Sequence, residues 1–156
     1  MSEPLFKKAQ KEDAAILAEY RFKMFDEIYK DGNLAGRKTK FINECTRYYL
    51  DNINKKNHYS IIAFIGEVAV GCGTILIEER PPNPKHKTNL SAYILNIYVD
   101  TGHRGRGIAK KIMEHLHQCA RSMGVRRIGL HASQFGHGLY RKMGYKIKES
   151  YLEMEL

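Results

Sequence analysis

The chain has 156 residues, 43% of them hydrophobic and 28% charged, which is typical of one soluble globular domain over residues 1–156. The formal net charge is +9, and residues 101–150 carry eleven Lys and Arg against two acids, Glu114 and Glu149. This charge favours an anionic ligand, either a nucleotide-bearing cofactor or nucleic acid. A solvated basic face with no special partner is the third interpretation.

Cysteine usage and hydropathy indicate a cytoplasmic protein. The three cysteines are odd in number and lack the spacing of a disulfide framework or a metal site. Residues 1–11 are polar and lack the apolar centre of a signal peptide. The longest apolar stretch, residues 61–77, is interrupted by Glu67 and three glycines, so it predicts a hairpin and not a membrane span.

The N-terminal part predicts a short strand and two helices. Residues 5–9 read as the strand, and Glu12 and Asp13 stand where acidic residues favour a helix start. Apolar residues then recur at spacings of three and four, which predicts a helix ending near residues 31–33 with one apolar stripe: Leu17, Tyr20, Met24 and Ile28. Thr39 is expected to cap a second helix that carries Phe41, Cys45, Tyr49 and Ile53.

The middle of the chain predicts an antiparallel hairpin, a loop and a central strand. Residues 59–65 and 68–78 are strands joined across the tight turn Gly66-Glu67. Residues 80–89 contain three prolines, which have no amide donor, so this segment is a loop. The apolar run Ala92–Val99 is the central strand.

A glycine-rich turn leads from the central strand into a helix. The strand breaks at residues 100–102, and the chain passes through Arg104-Gly105-Arg106-Gly107 before helical periodicity begins. This helix is capped by Gly124 and carries an apolar stripe: Ile108, Ile112, Leu116, Cys119 and Met123. Unpaired N–H groups in the first helical turn, glycines that let the backbone approach, and two arginines together predict a phosphate site.

The last part of the chain predicts three further strands and a short helix. Residues Val125–Ala132 form a strand, and the helix ends at Gly144, which acts as its cap. Residues Tyr145–Lys148 and Tyr151–Glu155 are expected to close the chain as two short strands.

The spacing within the phosphate turn separates the known kinds of phosphate loop. A dinucleotide fingerprint requires a third glycine where this chain has Lys110, and no Walker A pattern is present. The run Arg104-x-x-Gly107-x-Ala109 resembles the pyrophosphate-binding signature of the GNAT superfamily, the acyl-CoA-dependent N-acyltransferases. Downstream, Leu139-Tyr140-Arg141-Lys142-Met143-Gly144-Tyr145 resembles the family's leucine-tyrosine-x-lysine-x-glycine-aromatic ending. Two motifs in this order, separated by one helix and one strand, make the resemblance specific.

The resemblance implies a fold and a reaction. The fold is α/β (α+β), a single GNAT-like domain whose mixed, mostly antiparallel sheet is flanked by about four helices and splayed at its central strands. The implied reaction is direct transfer of the acetyl group of acetyl-CoA, with no metal, to a primary amine of a small molecule or a peptide. The positive charge argues mildly against a polycationic acceptor such as a polyamine.

The resemblance also implies particular binding residues. Backbone groups of the central strand would bind the pantetheine arm, and the turn would surround the pyrophosphate: Ile97, Tyr98 and Val99 in the first set, and Arg104, Gly105, Arg106, Gly107, Ile108, Ala109 and Lys110 in the second. The alternative role for Arg104 is a structural hydrogen bond within the turn. Ser133 stands where many relatives have Asn, and Gly136 stands where they have Ala; the Ser133 hydroxyl can still bind the cofactor.

The implied chemistry gives Tyr140 a catalytic role. Its phenol would act as the general acid that protonates the departing CoA thiolate. The alternative is a packed aromatic ring with a satisfied hydroxyl. The general base is left open among a water relay and four side chains: Asn96, which would hold a water, His131, Glu78 and Glu79. Ordinary packing and surface exposure are the expectation for Tyr20, Arg21 and Met24, although the resemblance places their helix beside the acceptor pocket.

Two other functions are compatible with the sequence. The first is a non-catalytic regulatory module that binds CoA as a ligand without turning it over. The second is a basic nucleic-acid-binding protein, which the absence of an aromatic-interleaved basic motif disfavours. No membrane partner is expected, and a homodimer is left open.

Overall fold

The computed structural model describes residues 2–30, 32–148 and 150–156. Three short 3₁₀ turns, at Lys11–Asp13, Ala35–Arg37 and Thr101–His103, accompany the strands and the α-helices. The main elements, in chain order, are β1 (Leu5–Lys8), α1 (Ala14–Tyr29), α2 (Lys38–Asn52), β2 (His58–Ile65), β3 (Val68–Glu79), β4 (Leu90–Val99), α3 (Ile108–Ser122), β5 (Ile128–Leu130) and α4 (His137–Lys142). Among the described residues no helix is both long and apolar enough to span a bilayer.

The sheet follows chain order, β1-β2-β3-β4-β5, and only its last pair is parallel. The predicted mixed, mostly antiparallel sheet is therefore confirmed. Strand β5 pairs with β4 from Ala92↔Ile128 to Ile94↔Leu130, whereas β4 continues to Val99. The second half of β4 thus has β3 on one edge and no strand on the other, which is the predicted splay.

A β-bulge in β4 accompanies the splay. Opposite β3, the register passes from Cys72↔Tyr98 to Thr74↔Leu95, so β4 contains one extra residue. Asn96 lies in this bulge with φ of 59°, a left-handed conformation that Asn tolerates better than most residues. Its side-chain amide donates to Tyr49 Oη at 2.9 Å and to Leu17 O at 3.2 Å, which ties the bulge to both N-terminal helices.

Two apolar cores cover the two faces of the sheet. Helices α1 and α2 pack on one face, where Leu17, Tyr49 and Cys72 are fully buried. Helix α3 packs on the other face through an apolar stripe that includes Ile112. Gly73 of β3 permits this close approach, because a Cβ at that position would lie 2.6 Å from Ile112 Cγ2 and 2.6 Å from Ile97 Cδ1.

Two predictions about local structure before α4 were wrong. Thr39 does not cap α2, because the 3₁₀ turn Ala35–Arg37 runs directly into a helix that begins at Lys38, with Arg37 at the cap position. The predicted strand Val125–Ala132 is reduced to Ile128–Leu130. Its start is used to close α3, since the Val125 amide donates to Ala120 O at 3.0 Å.

The two predicted C-terminal strands are also absent from the described residues. Neither Tyr145–Lys148 nor Tyr151–Glu155 forms a strand ladder. A strand requires a partner along its length, and β5, with three residues paired to β4, offers very little edge. The Tyr145 amide instead closes α4 by donating to Tyr140 O at 3.0 Å.

Candidate active site

A cleft of about 1070 Å³ opens where β4 and β5 diverge. Its walls come from α1, α2, β4, the N-terminus of α3 and the segment leading into α4. Eleven of the predicted site residues line this cleft: Ile97, Tyr98, Val99, Arg104, Gly105, Gly107, Ile108, Ala109, Lys110, Ser133 and Tyr140. Arg106 belongs to the same turn but is outside the lining, with its guanidinium 3.1 Å from His103 Nδ1.

The turn before α3 has the backbone geometry of an anion site. Gly105 and Gly107 have φ of 74° and 77°, a region that side-chain-bearing residues rarely adopt. The Lys111 amide makes the first helical bond, to Gly107 O at 3.1 Å. The amides that precede it in the helix, at residues 108–110, therefore have no helical acceptor and point out of the N-terminus with the positive end of the helix dipole.

Arg104 connects the turn to helix α1. Its Nε donates to Val99 O at 2.8 Å, and its Nη2 lies 2.9 and 2.8 Å from the two Glu27 carboxylate oxygens. The Tyr98 hydroxyl donates to the same carboxylate at 2.6 Å, and the guanidinium lies over the Tyr98 ring. These contacts fit the alternative prediction for Arg104, which was a structural hydrogen bond within the turn. The role of Arg104 beside a pyrophosphate stays a prediction.

A second connection between α1 and the turn was missed in the sequence. Asp100 accepts hydrogen bonds from Tyr20 Oη at 2.9 Å and from Lys23 Nζ at 2.8 Å. Burial first, and then the neighbouring Asp100 carboxylate, raise the pKa of Tyr20. The available signal was the polar spacing Tyr20, Lys23, Glu27, which places all three on one side of α1.

The backbone of β4 is directed alternately to β3 and to the cleft. The Asp100 amide donates to Val70 O of β3 at 2.9 Å, and Tyr98 O is so close to β3 that a Cβ on Gly71 would lie 2.8 Å from it. By the alternation of an antiparallel ladder, Ile97 and Val99 turn their backbone groups the other way, into the splay. Of the three residues predicted to bind an extended ligand, these two have backbone groups that face the splay, and their binding role stays a prediction.

Tyr140 lies on α4, its ring is packed, and the residue lines the cleft. The residue is 9% exposed, and burial raises the pKa of its phenol. The ring occupies the space beside Gly136, where a Cβ would lie 2.6 Å from Tyr140 Cε2. Ser133 lies at the start of this segment, and its hydroxyl accepts a bond of 3.4 Å from the Gly136 amide.

The candidate bases separate into two groups. Asn96 and His131 line the cleft, and the His131 Nδ1 is hydrogen-bonded to the Tyr93 hydroxyl of β4. Glu78 and Glu79 do not line the cleft. Glu78 accepts a hydrogen bond of 2.8 Å from Arg80, and Glu79 accepts one of 2.9 Å from the Asn89 side chain.

The other half of the cleft is formed by α1, α2 and the middle of β4. Aromatic rings dominate it, contributed by Phe25, Phe41, Tyr48 and Tyr93. The charged lining residues of these two helices are Arg21 and Glu27 on α1 and Glu44 on α2, and Glu27 is already paired with Arg104. Sequence periodicity places Phe41 on an apolar stripe. Arg21 was expected to be ordinary surface, although the resemblance placed its helix beside the acceptor pocket. The two residues share one cavity because α1 packs against α2.

Comparison with known proteins decides the family. Residues 14–145 match the family model described as Acetyltransferase (GNAT) family. The chain belongs to the GNAT family. The family prediction made from the two motifs is thereby confirmed.

Individual GNAT relatives agree with this assignment. An uncharacterised N-acetyltransferase of Bacillus subtilis (strain 168), YycN, is 32% identical over 77 residues, which is 47% of each chain, so the match spans about half of that curated relative. The crystal structure of a predicted acetyltransferase with acetyl-CoA from Clostridium acetobutylicum is 25% identical, with a TM-score of 0.88 over 98% of this chain and 96% of that one. A GCN5-related N-acetyltransferase from Ralstonia eutropha JMP134, 24% identical, has the same fold, with a TM-score of 0.84 over 98% and 99% of the two chains.

Proposed function

We propose that this GNAT protein transfers the acetyl group of acetyl-CoA to the primary amine of a small molecule or a peptide. The observation that carries the proposal is the joining of two half-sites in one cleft. One half contains the glycine turn with its unpaired amides, and the other is an aromatic pocket. The splayed end of β4 lies between them. Its open edge presents backbone groups of Ile97 and Val99, although Val99 O already accepts a hydrogen bond from Arg104 Nε.

The cofactor half suits a pantetheine diphosphate by its shape and charge. An extended arm can pair with the open edge of β4 at Ile97 and Val99, as an added strand would. The amides at the N-terminus of α3 are then available to a diphosphate. The Arg104 guanidinium already contacts Glu27. Two other cations of this turn, Arg106 and Lys110, are held less tightly by carboxylates. In the described parts of the chain Arg106 has no carboxylate within 4.0 Å, and the acid beside Lys110, Glu114, is 3.7 Å away and half exposed.

The transfer requires one bond to form and one to break. The lone pair of a neutral amine attacks the thioester carbonyl carbon, the C–S bond breaks, and the amine loses one proton. The departing thiolate takes up a proton from the hydroxyl of Tyr140, a residue that lines the cleft. The proton lost by the amine passes through water to solvent, and Tyr140 is protonated again from solvent. The raised pKa of this buried phenol keeps it protonated until the thiolate forms. The products are an N-acetylated amine and coenzyme A.

The proposal is tested by replacing the Tyr140 hydroxyl. A panel of amines is first incubated with acetyl-CoA, and acetylated products are detected by their mass. With the best amine, Tyr140→Phe should lower kcat by about 10²-fold or more, because general acid catalysis is lost. Calorimetric titration with coenzyme A should give the same Kd for both proteins, because the ring remains in place.

Tyr145→Phe is the matched control. Tyr145 packs against Tyr140 edge to face, but its hydroxyl bonds to His117 at 2.7 Å, and it does not line the cleft. Its variant should retain kcat. Binding of coenzyme A without acetylation of any amine would identify a non-catalytic CoA-binding module instead, and absence of binding would refute both.

A further inference from the structure

Arg21 is placed for recognition of a ligand. It lies on α1, half buried, in the aromatic half of the cleft, with its guanidinium carbon 4.8 Å from the centre of the Phe25 ring. Its charge acts on side chains from two other elements. Burial raises the pKa of Cys45 and of Tyr48 on α2, and the Arg21 guanidinium opposes both shifts. It acts in the same sense on Tyr93 of β4, where burial is again the main cause of a raised pKa.

Arg21 differs from its neighbours on α1 in having no carboxylate partner. Over residues 2–30, 32–148 and 150–156, no Asp or Glu oxygen lies within 4.0 Å of its guanidinium. Lys23, two residues away on the same helix, is paired with Asp100 at 2.8 Å. The acid on the facing wall, Glu44, is 63% exposed, and its nearest cation is Lys40 at 3.9 Å. The Arg21 guanidinium is permanently charged and lies among aromatic rings, so it is available to pair with an anion that enters the cleft.

The surroundings define which anion fits. The walls near Arg21 are mainly rings and aliphatic chains, including Phe41, Tyr48 and Leu76. Such walls favour a small, singly charged group attached to an apolar body, since a doubly charged one loses more hydration energy on entry. The planar guanidinium fork matches a carboxylate.

We propose, resting on the acetyltransferase function above, that the acceptor is a small-molecule amine that also bears a carboxylate and an apolar or aromatic body, and that Arg21 binds the carboxylate. The apolar body then packs against the Phe25 and Tyr48 side of the pocket, and the amine faces the splayed end of β4. Arg21 thus determines specificity, while the acetyl transfer itself is left to the groups at the splay.

The test compares acids with their neutral amides. Phenylalanine and 4-(aminomethyl)benzoic acid are each paired with the corresponding primary amide, and benzylamine serves as a general acceptor. The parent protein should show kcat/KM roughly 10- to 100-fold higher for each acid than for its amide, because a charge-assisted bond is lost in the amide. Arg21→Gln should abolish this preference by raising KM much more for the acids than for the amides, and Arg21→Lys should restore part of it.

Arg47→Gln provides the matched control. Arg47 is exposed on α2 and does not line the cleft, so its variant makes the same change in net charge and should keep the preference of the parent. Because each preference is a ratio measured within one preparation, partial unfolding of a variant cancels. Equal rates for acids and amides in the parent, or equal losses for both in Arg21→Gln, would overturn this inference alone. Failure to acetylate any amine, benzylamine included, would instead overturn the proposed function.

Discussion

The Tyr140 ring and the absent side chain of Gly136 are complementary. A Cβ at position 136 would lie 2.6 Å from Tyr140 Cε2, which is closer than real Cβ contacts allow, and 3.1 Å from the Tyr140 hydroxyl oxygen, which is tighter than most. Gly136 has φ of −86°, a conformation open to any residue, so the glycine is needed for space and not for backbone freedom. The position of the proposed acid therefore depends on a residue that the sequence shows only as a departure from the family's usual Ala.

Gly136→Ala should displace the Tyr140 ring. We expect kcat to fall about tenfold or more while the Kd for coenzyme A changes little, because the phenol loses its alignment and the turn before α3 is untouched. Enzyme kinetics and calorimetry measure the two effects. Gly138→Ala, in the same helix, meets no atom within 4 Å and should keep full activity while stabilising the fold by up to about 1 kcal/mol. Equal activity of the two alanine variants would show that the ring position does not matter.

At the scale of single elements, prediction succeeded where the signal was local. The turn from β4 into α3 and the cap at Gly144 are each indicated by a few neighbouring residues, and the structure contains both. The Asn96 bulge, the Glu27–Arg104 pair and the length of β5 depend on residues far apart in the chain. Periodicity shows which side of a helix is apolar, but not which distant polar group will meet its other side.

Residues of the candidate site divide in the same way. The cofactor half was predictable because its turn carries a motif of six residues. The acceptor half is assembled from single side chains of α1, α2 and β4, such as Arg21, Glu44 and Tyr93, and no spacing relates them. The sequence therefore predicts the glycine turn as a phosphate site, but no pattern in it singles out Arg21 on the opposite wall.

A buried histidine, His58, lies where β2 contacts α2, and its lowered pKa favours the neutral form. His58 is 4% exposed, it packs against the Tyr48 and Tyr49 rings, and neither ring nitrogen has a hydrogen-bond partner in the described parts of the chain. Burial, and secondarily the Lys55 charge, lower its pKa from 6.5 to about 4. The unfolded chain takes up this proton near pH 6.5, but the folded protein does so only near pH 4. The free energy of unfolding must therefore fall as the pH falls through this range.

His58→Phe should reduce this pH dependence. We expect about 2–3 kcal/mol of the loss in unfolding free energy between about pH 7 and about pH 4 to disappear in the variant, because Phe stacks on the same rings without a proton to gain. Urea denaturation at several pH values measures it, and carboxylates shared by both proteins cancel in the difference. His86→Gln, in the loop of residues 80–89, should keep the slope of the parent. Parallel curves for His58→Phe and the parent would contradict the neutral buried histidine.

On the scale of the whole molecule, helix α1 contributes residues to both halves of the cleft. Through Tyr20, Lys23 and Glu27 it holds the turn before α3, and through Arg21 and Phe25 it forms the wall of the acceptor half. A shift of this one helix would move both half-sites together. In the proposed reaction, the relative position of acetyl donor and acceptor would thus be set by packing on one face of the sheet and by polar contacts at its edge.

The net charge of +9 belongs to the whole molecule, and it should attract the proposed anionic co-substrate, acetyl-CoA, as the two approach each other. Because salt screens long-range attraction over about 10 Å at 0.1 M, raising the ionic strength should increase KM for acetyl-CoA severalfold while kcat at saturation stays constant. Initial rates in increasing NaCl measure this. S-acetyl pantetheine is the matched control, since it carries the same thioester without phosphates, and its KM should be insensitive to salt. A flat KM for acetyl-CoA, or the same salt dependence for both thioesters, would show that the basic surface does not guide the diphosphate.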